Sequence, residues 1–475
     1  KTILNRGTVT VKNLENKGVE SCFGAGTTIE IGKATLNVNH TNAASDRSVV
    51  LTDSAAINIP ANSTTTLQSA LTGKGVLVKK GAGQLNLNYG GNNGYAGTVL
   101  EGGTLSQGAW NATLGKAGSK IDVTGNATIR VFNNNSTSAV PALNNAITVQ
   151  KGKTLTISTG QRCKVQGSLS GEGTVKISFP YVRGDFETNL TNFEGTLNPT
   201  GGQFRLTSGM NMQKGTFMLG EGVYAVGVKS QSASETSLTH KIGALSSTAA
   251  DAQLGTSTWN VGYLGTNTTF AGIIGQNATL NKYGEGTLSL TGKSTGKINV
   301  YEGAVSLDNN TSTTSALVTA ANGGMVVGTG TTANVTVNKG GTVGAGKANS
   351  ITVGTLNITG NLNVQNGGTI RVRGRSARSV DDFKVAGKVT LNNPLFRMER
   401  LSDDWATDTD YKVFTGTGTI TITGTPTFEP TVPMEGYLWD YSALASDGIL
   451  RVVADPTGIE EITEEELMNM DVYDD

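Results

Sequence analysis

Alternation with a period of two, broken every few residues by Gly, Asn or Asp, runs through almost the whole chain. GTVTVKNL, TTIEIGKATLNVN, AAINIPA, KIDVTGNATIRVF, AITVQKGKTLTIST and ITVGTLNITGNLNVQNGGTIRVR are instances taken from both ends and the middle. Side chains alternate across a strand, so each run reads as a strand of about three to five residues, and each Gly or Asn cluster as a turn. Nothing before residue 459 keeps a helical period; only IEEITEEELMNM, Ile459 to Met470, has the pattern of a short helix. Regular short strands leave two architectures, a string of antiparallel sandwiches or a solenoid.

Three features favour the solenoid. The strands recur every ~8–12 residues for most of the chain's length. Turns rich in Asn and Gly, such as that at Asn133, Asn134 and Asn135, suit sharp corners that need positive φ. Gly is 64 of 475 residues and aromatics are only 6%, which is too few large side chains for several sandwich cores. A narrow tube lined by Val, Ile, Leu, Ala and Thr needs one inward side chain at alternate positions. The expected fold is therefore all-β: a right-handed parallel β-helix of about 20 coils, roughly 20 residues each, rising ~4.8 Å per coil. It is expected to be capped at its C-terminal end.

One phrase is written twice. LVKKGAGQLNLNYG (Leu77 to Gly90) and LNKYGEGTLSLTG (Leu280 to Gly292) share L-x-K-x-G-x-G-x-L-x-L and start 203 residues apart. Each is followed by a second short strand pattern, YAGTVLEGGTL and GKINVYEGAVSL. Glycines at Gly284 and Gly286 are expected to turn the backbone between coils. Leu288 and Leu290 share a face and enter the tube, and Lys282 is expected outside, in water. The phrase reads as one structural rung, not as an active site.

These residues resemble the autotransporter-associated β-strand repeat, found in long extracellular β-helical stalks of bacterial surface proteins. LNKYGEGTLSLTG follows that pattern nearly throughout; the earlier copy departs from it at Gln84. DDFKVAGKVTLNNPLF, then YKVFTGTGTITITG, then GYLWDYSALASDGILRVV are similar to the closing segment of autotransporter-like passengers. DPTGIEEI…MNMDVYDD resembles the start of a C-terminal sorting domain of type IX secretion. The resemblance implies a β-helix over residues 1–379, a closing segment over 380–455, and an acidic linker with a truncated sorting signal over 456–475. It also implies an extracellular or bacterial outer-surface location and a covalently linked catalytic or adhesive domain in a carbohydrate-active or adhesive parent.

Charge narrows the partners. Lys plus Arg and Asp plus Glu are both 37, but residues 460–475 hold eight acids and no base, so the remaining 29 acids leave the body at about +8. Spread over so long a chain, this does not make a nucleic-acid surface. No window of 18 apolar residues marks a membrane-spanning helix. Lys1 is not an initiator Met, and the chain reads as a mature or excised segment. Cys22 and Cys163 lie 141 residues apart, about seven coils, beyond the ~7 Å that a disulfide spans, so no bond is expected between them.

Catalysis is not expected, and neither a metal nor another cofactor. Asp381 with Asp382, and Asp403 with Asp404, are adjacent in sequence and face opposite ways in a strand. Asp185 and Glu187 share a face but have no acidic partner at coil spacing, whereas a polysaccharide hydrolase needs carboxylates at close quarters. His40 and His240 read as solvated or structural. A polysaccharide lyase of the pectate type, or a hydrolase, is the least favoured alternative.

A second alternative is a carbohydrate-binding module or adhesin. Sugar rings stack on aromatic faces and acidic glycans need cations. RVRGRSARS concentrates Arg371, Arg373, Arg375 and Arg378; alternation puts Arg371, Arg373 and Arg375 on one outward face, suited to an acidic polysaccharide. The plainer reading is a solvated loop balancing Asp381 and Asp382. Tyr181 and Arg183 in FPYVRGDF are a weaker pair. Trp259 and Trp439 sit inside strand patterns and read as packing or sealing residues; Trp110 and Trp405 lie beside turns and are the candidates for exposure. The leading expectation is a non-catalytic extracellular stalk or spacer.

Overall fold

A computed structural model describes residues 1–132, 141–160, 162–179, 184–229, 234–309, 316–376, 379–402 and 404–457. The turn expected at Asn133–Asn135, the short helix expected over 459–470 and nearly all of the acidic segment lie outside these residues. The structure is 53% strand and 1% helix, and is built of long parallel sheets, as a parallel β-helix requires. It divides into two compact units, Lys1–Ile298 and Asn299–Asp475.

In the first unit each strand pairs in parallel with the strand one coil further on. One sheet runs Thr28–Val38, Ala55–Asn58, Val76–Lys80, Gly97–Leu100, Lys120–Val123 and Ala146–Val149. A second runs from Asn42–Ser45 through Thr64–Leu67, Gln84–Leu87, Gly103–Gln107 and Ala127–Arg130 to Thr154–Ser158 and beyond. A third joins Cys163–Val165, Gly184–Phe186, Gln203–Leu206 and Tyr224–Gly227. Register fixes the coil length: Thr154 pairs with Thr174, and Thr196 with Thr216, both 20 residues on. Side chains therefore stack in columns, such as Thr65, Leu85, Leu105, Ile129 and Ile157, of which all five are buried. A one-residue slip would turn every such column to solvent, so the alternating pattern and the register enforce each other.

The second unit repeats the scheme with longer coils. Gly303 pairs with Gly324, 21 residues on, but Thr342 pairs with Thr369, 27 on, and Leu395 with Thr427, 32 on. The expected 20-residue coil thus holds early and fails late, because loops are inserted between strands that keep their pairing. This unit ends in antiparallel strands: Tyr437–Asp440 pairs with Ile449–Ala454, which also pairs with Tyr411–Lys412. Phe396 and Phe428 stack one rung apart at 5.5 Å, and Trp439 continues that stack at 5.7 Å. The closing aromatics thus cover the last rungs of the coil, as expected of Trp439. Trp405 does not behave as expected. It is 4% exposed, packed edge-on to Tyr411 and Trp439 and fitted over Gly374, which has no Cβ to obstruct it.

The Asn-rich corners have a specific use. Asn126 Oδ1 accepts from the Thr154 backbone N–H, Asn267 Oδ1 from that of Thr287, Asn334 Oδ1 from that of Asn361, and Asn361 Oδ1 from that of Lys388. Each amide reaches the next coil where the strand ladder lapses, so buried backbone donors keep a partner at the turn.

Candidate functional site

The repeated phrase places its lysine inside the tube, not in water. Lys79 is 0% exposed and Lys282 1%. In register Lys79 lies between Ile57 and Leu100, both core residues, and Lys282 lies beside Val261. The Lys79 ammonium donates to the carbonyls of Lys80, Gly81 and Gly102 at 2.8–3.2 Å. Lys282 donates to Tyr283 and Gly284 at 2.7 and 2.6 Å. The aliphatic stem fills the column while the head caps carbonyls that the corner would otherwise bury. Burial pulls Lys79 down to about 8, which leaves it mostly charged at neutral pH. Gly81 and Gly284 sit at φ 74° and 70°, where a side chain is strained, and a Cβ on Gly83 or Gly286 would collide with a carbonyl of the preceding coil. Lys282→Met keeps the stem and removes the head. It should cost about 1.5–3 kcal/mol, the range for hydrogen bonds from a charged group, read from the urea midpoint; an unchanged midpoint would place the ammonium in solvent.

The arginine run is likewise not an open basic face. Arg371 and Arg373 alternate with the core residues Ile370 and Val372 and so do point away from the tube, as the pattern implies. They are nonetheless 9% and 2% exposed. The segment 345–354 folds back over them. Arg373 donates to the carbonyls of Ala345, Ser350 and Thr352 at 3.0, 2.6 and 3.2 Å, and to both oxygens of Asp381, its Nε lying 2.7 Å from Oδ2. Asp381 also accepts from the Gly354 N–H. Burial pushes the Asp381 carboxyl up, with Arg373 pulling against it. Arg371 lies across Gly344, its Nη1 near the Met325 sulfur. Of the expected outward set only Arg375 is exposed. Tyr181 and Arg183 lie outside the described residues.

Other ionisable groups are also tied to structure. Asp185 and Arg205, on paired strands, form a buried ion pair at 3.0 Å. Glu187 lies 3.7 Å from Lys164. Asp382 accepts from the Thr415 hydroxyl and shares no partner with Asp381. Arg47, 0% exposed, was marked by nothing in the sequence. It donates to the carbonyls of Glu15, Asn16, Val19, Gly24 and Gly26, and so holds the long loop between Thr2–Val11 and Thr28–Val38. Cys22 and Cys163 are both free, as expected. Among the described residues, no three His, Cys, Asp or Glu side chains gather as a metal site would need.

His240 and Ser257 look at first like a nucleophile and base, with Nε2 and Oγ 3.0 Å apart. The rest of the ring excludes it. Nδ1 accepts from the Met210 N–H, so the neutral ring carries its proton on Nε2 and donates it to Ser257. Burial against Trp259 lowers His240 to about 3. The ring cannot receive a serine proton there. This state has a measurable consequence. The unfolded imidazole protonates near 6.5 and the folded one near 3, so the unfolded chain binds the extra proton between these values. His240 therefore favours the fold fully above pH 6.5, and that contribution falls as pH drops from 6.5 towards 3, by roughly 1.4 kcal/mol per unit. Comparing urea midpoints at pH 7 and pH 4, His240→Gln should lose less on acidification than the parent; an equal loss would mean the ring is charged in the fold.

One concavity in the first unit remains. It forms where three successive coils carry loops at one corner: residues 88–96, 108–119 and 141–145. Its volume is about 990 Å³, and Trp110, Asn92, Asn111, Lys116 and Asn144 lie on its lining. Trp110 is half-buried; Asn92, Asn111, Asn144 and Lys116 are exposed. Beneath them buried or half-buried amides staple the loops. Asn93 bonds Leu71 and Thr113, Gln107 Nε2 donates to the Ala112 carbonyl at 2.7 Å, and Asn145 Nδ2 to those of Leu114 and Ser119. The sequence signal was the lapse of alternation over ~10 residues in GAWNATLGKAG. Compared with known proteins, the chain matches no family model and no curated sequence.

Proposed function

We propose that this chain is a non-catalytic β-helical stalk or spacer of a bacterial secreted or cell-surface protein, carrying a catalytic or adhesive domain away from the surface. The observation that carries this reading is where the charged side chains go. Lys79, Lys282, Arg47 and Arg373 all bind backbone carbonyls of their own corners and loops, and His240 is held neutral. Such groups stiffen a stack of coils and leave no acid–base pair for turnover. The resemblance of the repeated phrase to autotransporter-associated repeats supports the same reading, as does stability built from neighbouring coils.

Two experiments test it. Removing one whole coil in register, residues 154–173, sets Thr174–Ser178 against Ala127–Arg130. A spacer tolerates this: the shortened chain should fold and still present a fused reporter domain, whereas an enzyme built around those coils would lose its site. Incubation of the intact chain with polygalacturonate should release no unsaturated product by ultraviolet absorbance. Release of such products would establish a lyase and overturn the proposal.

A further inference from the structure

We propose that the cleft around Trp110 binds a saccharide chain, through the indole face and the three asparagine amides at its rim. The site is independent of the spacer reading, because a stalk can carry a ligand or none.

The chemistry narrows the ligand. The cleft, at about 990 Å³, is at the upper end of the ~300–1,000 Å³ range of small-ligand pockets, with room for more than one sugar ring. No carboxylate lies on its lining, and Lys116 is its one charged side chain. A cationic ligand therefore has no counter-charge, and a purely apolar one would bury amides without partners. Among the described residues, the Trp110 N–H and the side chains of Asn92, Asn111, Asn144 and Lys116 make no hydrogen bond. Each amide offers two donors and an acceptor, which is what adjacent sugar hydroxyls require, and the flat indole suits the apolar face of a pyranose ring. The Lys116 ammonium admits a neutral saccharide or one bearing a carboxylate.

The frame is stiff. Asn93, Gln107 and Asn145 engage the backbone or hydroxyls of neighbouring loops, so the loops are held before any ligand arrives. Preorganisation of this kind lowers the ordering cost of binding. The exposed amides are a separate set, on the same loops but pointing to no protein partner.

Trp110 also supplies its own probe. The chain has four tryptophans, and the other three are 0%, 4% and 6% exposed, so iodide quenching of fluorescence reports on Trp110. The whole chain would be run through native gels containing galactomannan, xyloglucan, dextran or hyaluronan. At least one should retard it, and the same polysaccharide should protect its fluorescence from iodide. Trp110→Ala should weaken retention at least tenfold, Trp110→Phe less, and Asn111→Ala, at an exposed position where folding is not at issue, should weaken it severalfold. Retardation by hyaluronan alone would assign an anionic saccharide held by Lys116; retardation by a neutral polymer would assign the amides and the indole. No retardation in any of the four gels, or retention that Trp110→Ala and Asn111→Ala leave unchanged, overturns the proposal.

Discussion

Asp381→Ala should lower the stability of the second unit by about 3–5 kcal/mol, the range for removing one member of a buried ion pair. The carboxylate is 0% exposed and holds three things at once: the Arg373 guanidinium, the Arg373 backbone N–H and the Gly354 N–H. Without it Arg373 remains buried with only carbonyls around it, and the 345–354 segment loses the anchor at its far end. Trp405 and Trp439 both lie in this unit, so tryptophan fluorescence against urea reads the change. Asp381→Asn, which keeps the shape and an acceptor, should cost less than Asp381→Ala. Arg373→Met combined with Asp381→Leu should recover part of the loss, because no uncompensated charge remains. A midpoint unmoved by Asp381→Ala would mean that the arginine head lies in water.

The second large effect is expected at Arg47. Arg47→Ala removes the donors for five backbone carbonyls and leaves a cavity, on the order of 3 kcal/mol from unpaired groups and lost packing together. The loss should be local, since these carbonyls belong to the loop between Thr2–Val11 and Thr28–Val38. Trypsin should then cut at Lys17, on the exposed side of that loop, many times faster than in the parent. Arg47→Lys should fail to rescue, because three donors on one atom cannot span the acceptors that the planar guanidinium reaches. Equal cleavage rates in parent and Arg47→Ala would show that the loop is held by other contacts.

Much of this architecture is legible in the amino-acid sequence, and the exceptions share a cause. Alternation identifies the strands and assigns Leu288 and Leu290 to the core, where both are 1% exposed. The same rule places Lys79 with Leu77 and Lys282 with Leu280, two residues on and therefore on the same inward face. The expectation that a lysine seeks water overrode the periodicity, and the periodicity was the better guide. At Arg371 and Arg373 alternation was again right about direction. What it could not supply is the cover, because the 345–354 segment returns from the preceding coil and nothing within RVRGRSARS announces it. Arg47, in the ordinary turn sequence ASDRSVV, has its partners 21 to 32 residues away. Trp405 was misjudged for a similar reason: it sits beside a turn in sequence, but the aromatics that enclose it, Tyr411 and Trp439, come from the closing antiparallel strands. Period two thus reads the rungs, while loops that fold over them are set by partners a coil or more away.

Paired cysteines test the parallel, in-register stacking most directly. In a background lacking Cys22 and Cys163, Thr148→Cys with Ser170→Cys places thiols on partners whose hydroxyl oxygens are 2.8 Å apart across two coils. Asn334→Cys with Asn361→Cys does the same in the second unit, next to the Val335–Leu362 pair. Under mild oxidation both pairs should close to disulfides in full, detected as a two-proton mass loss per chain, while Thr148→Cys with Thr174→Cys, which are not partners, should stay reduced. Closure of the mismatched pair with failure of the two matched ones would contradict a parallel β-helix, and the assignments of Lys79, Lys282 and the Trp110 cleft would fall with it.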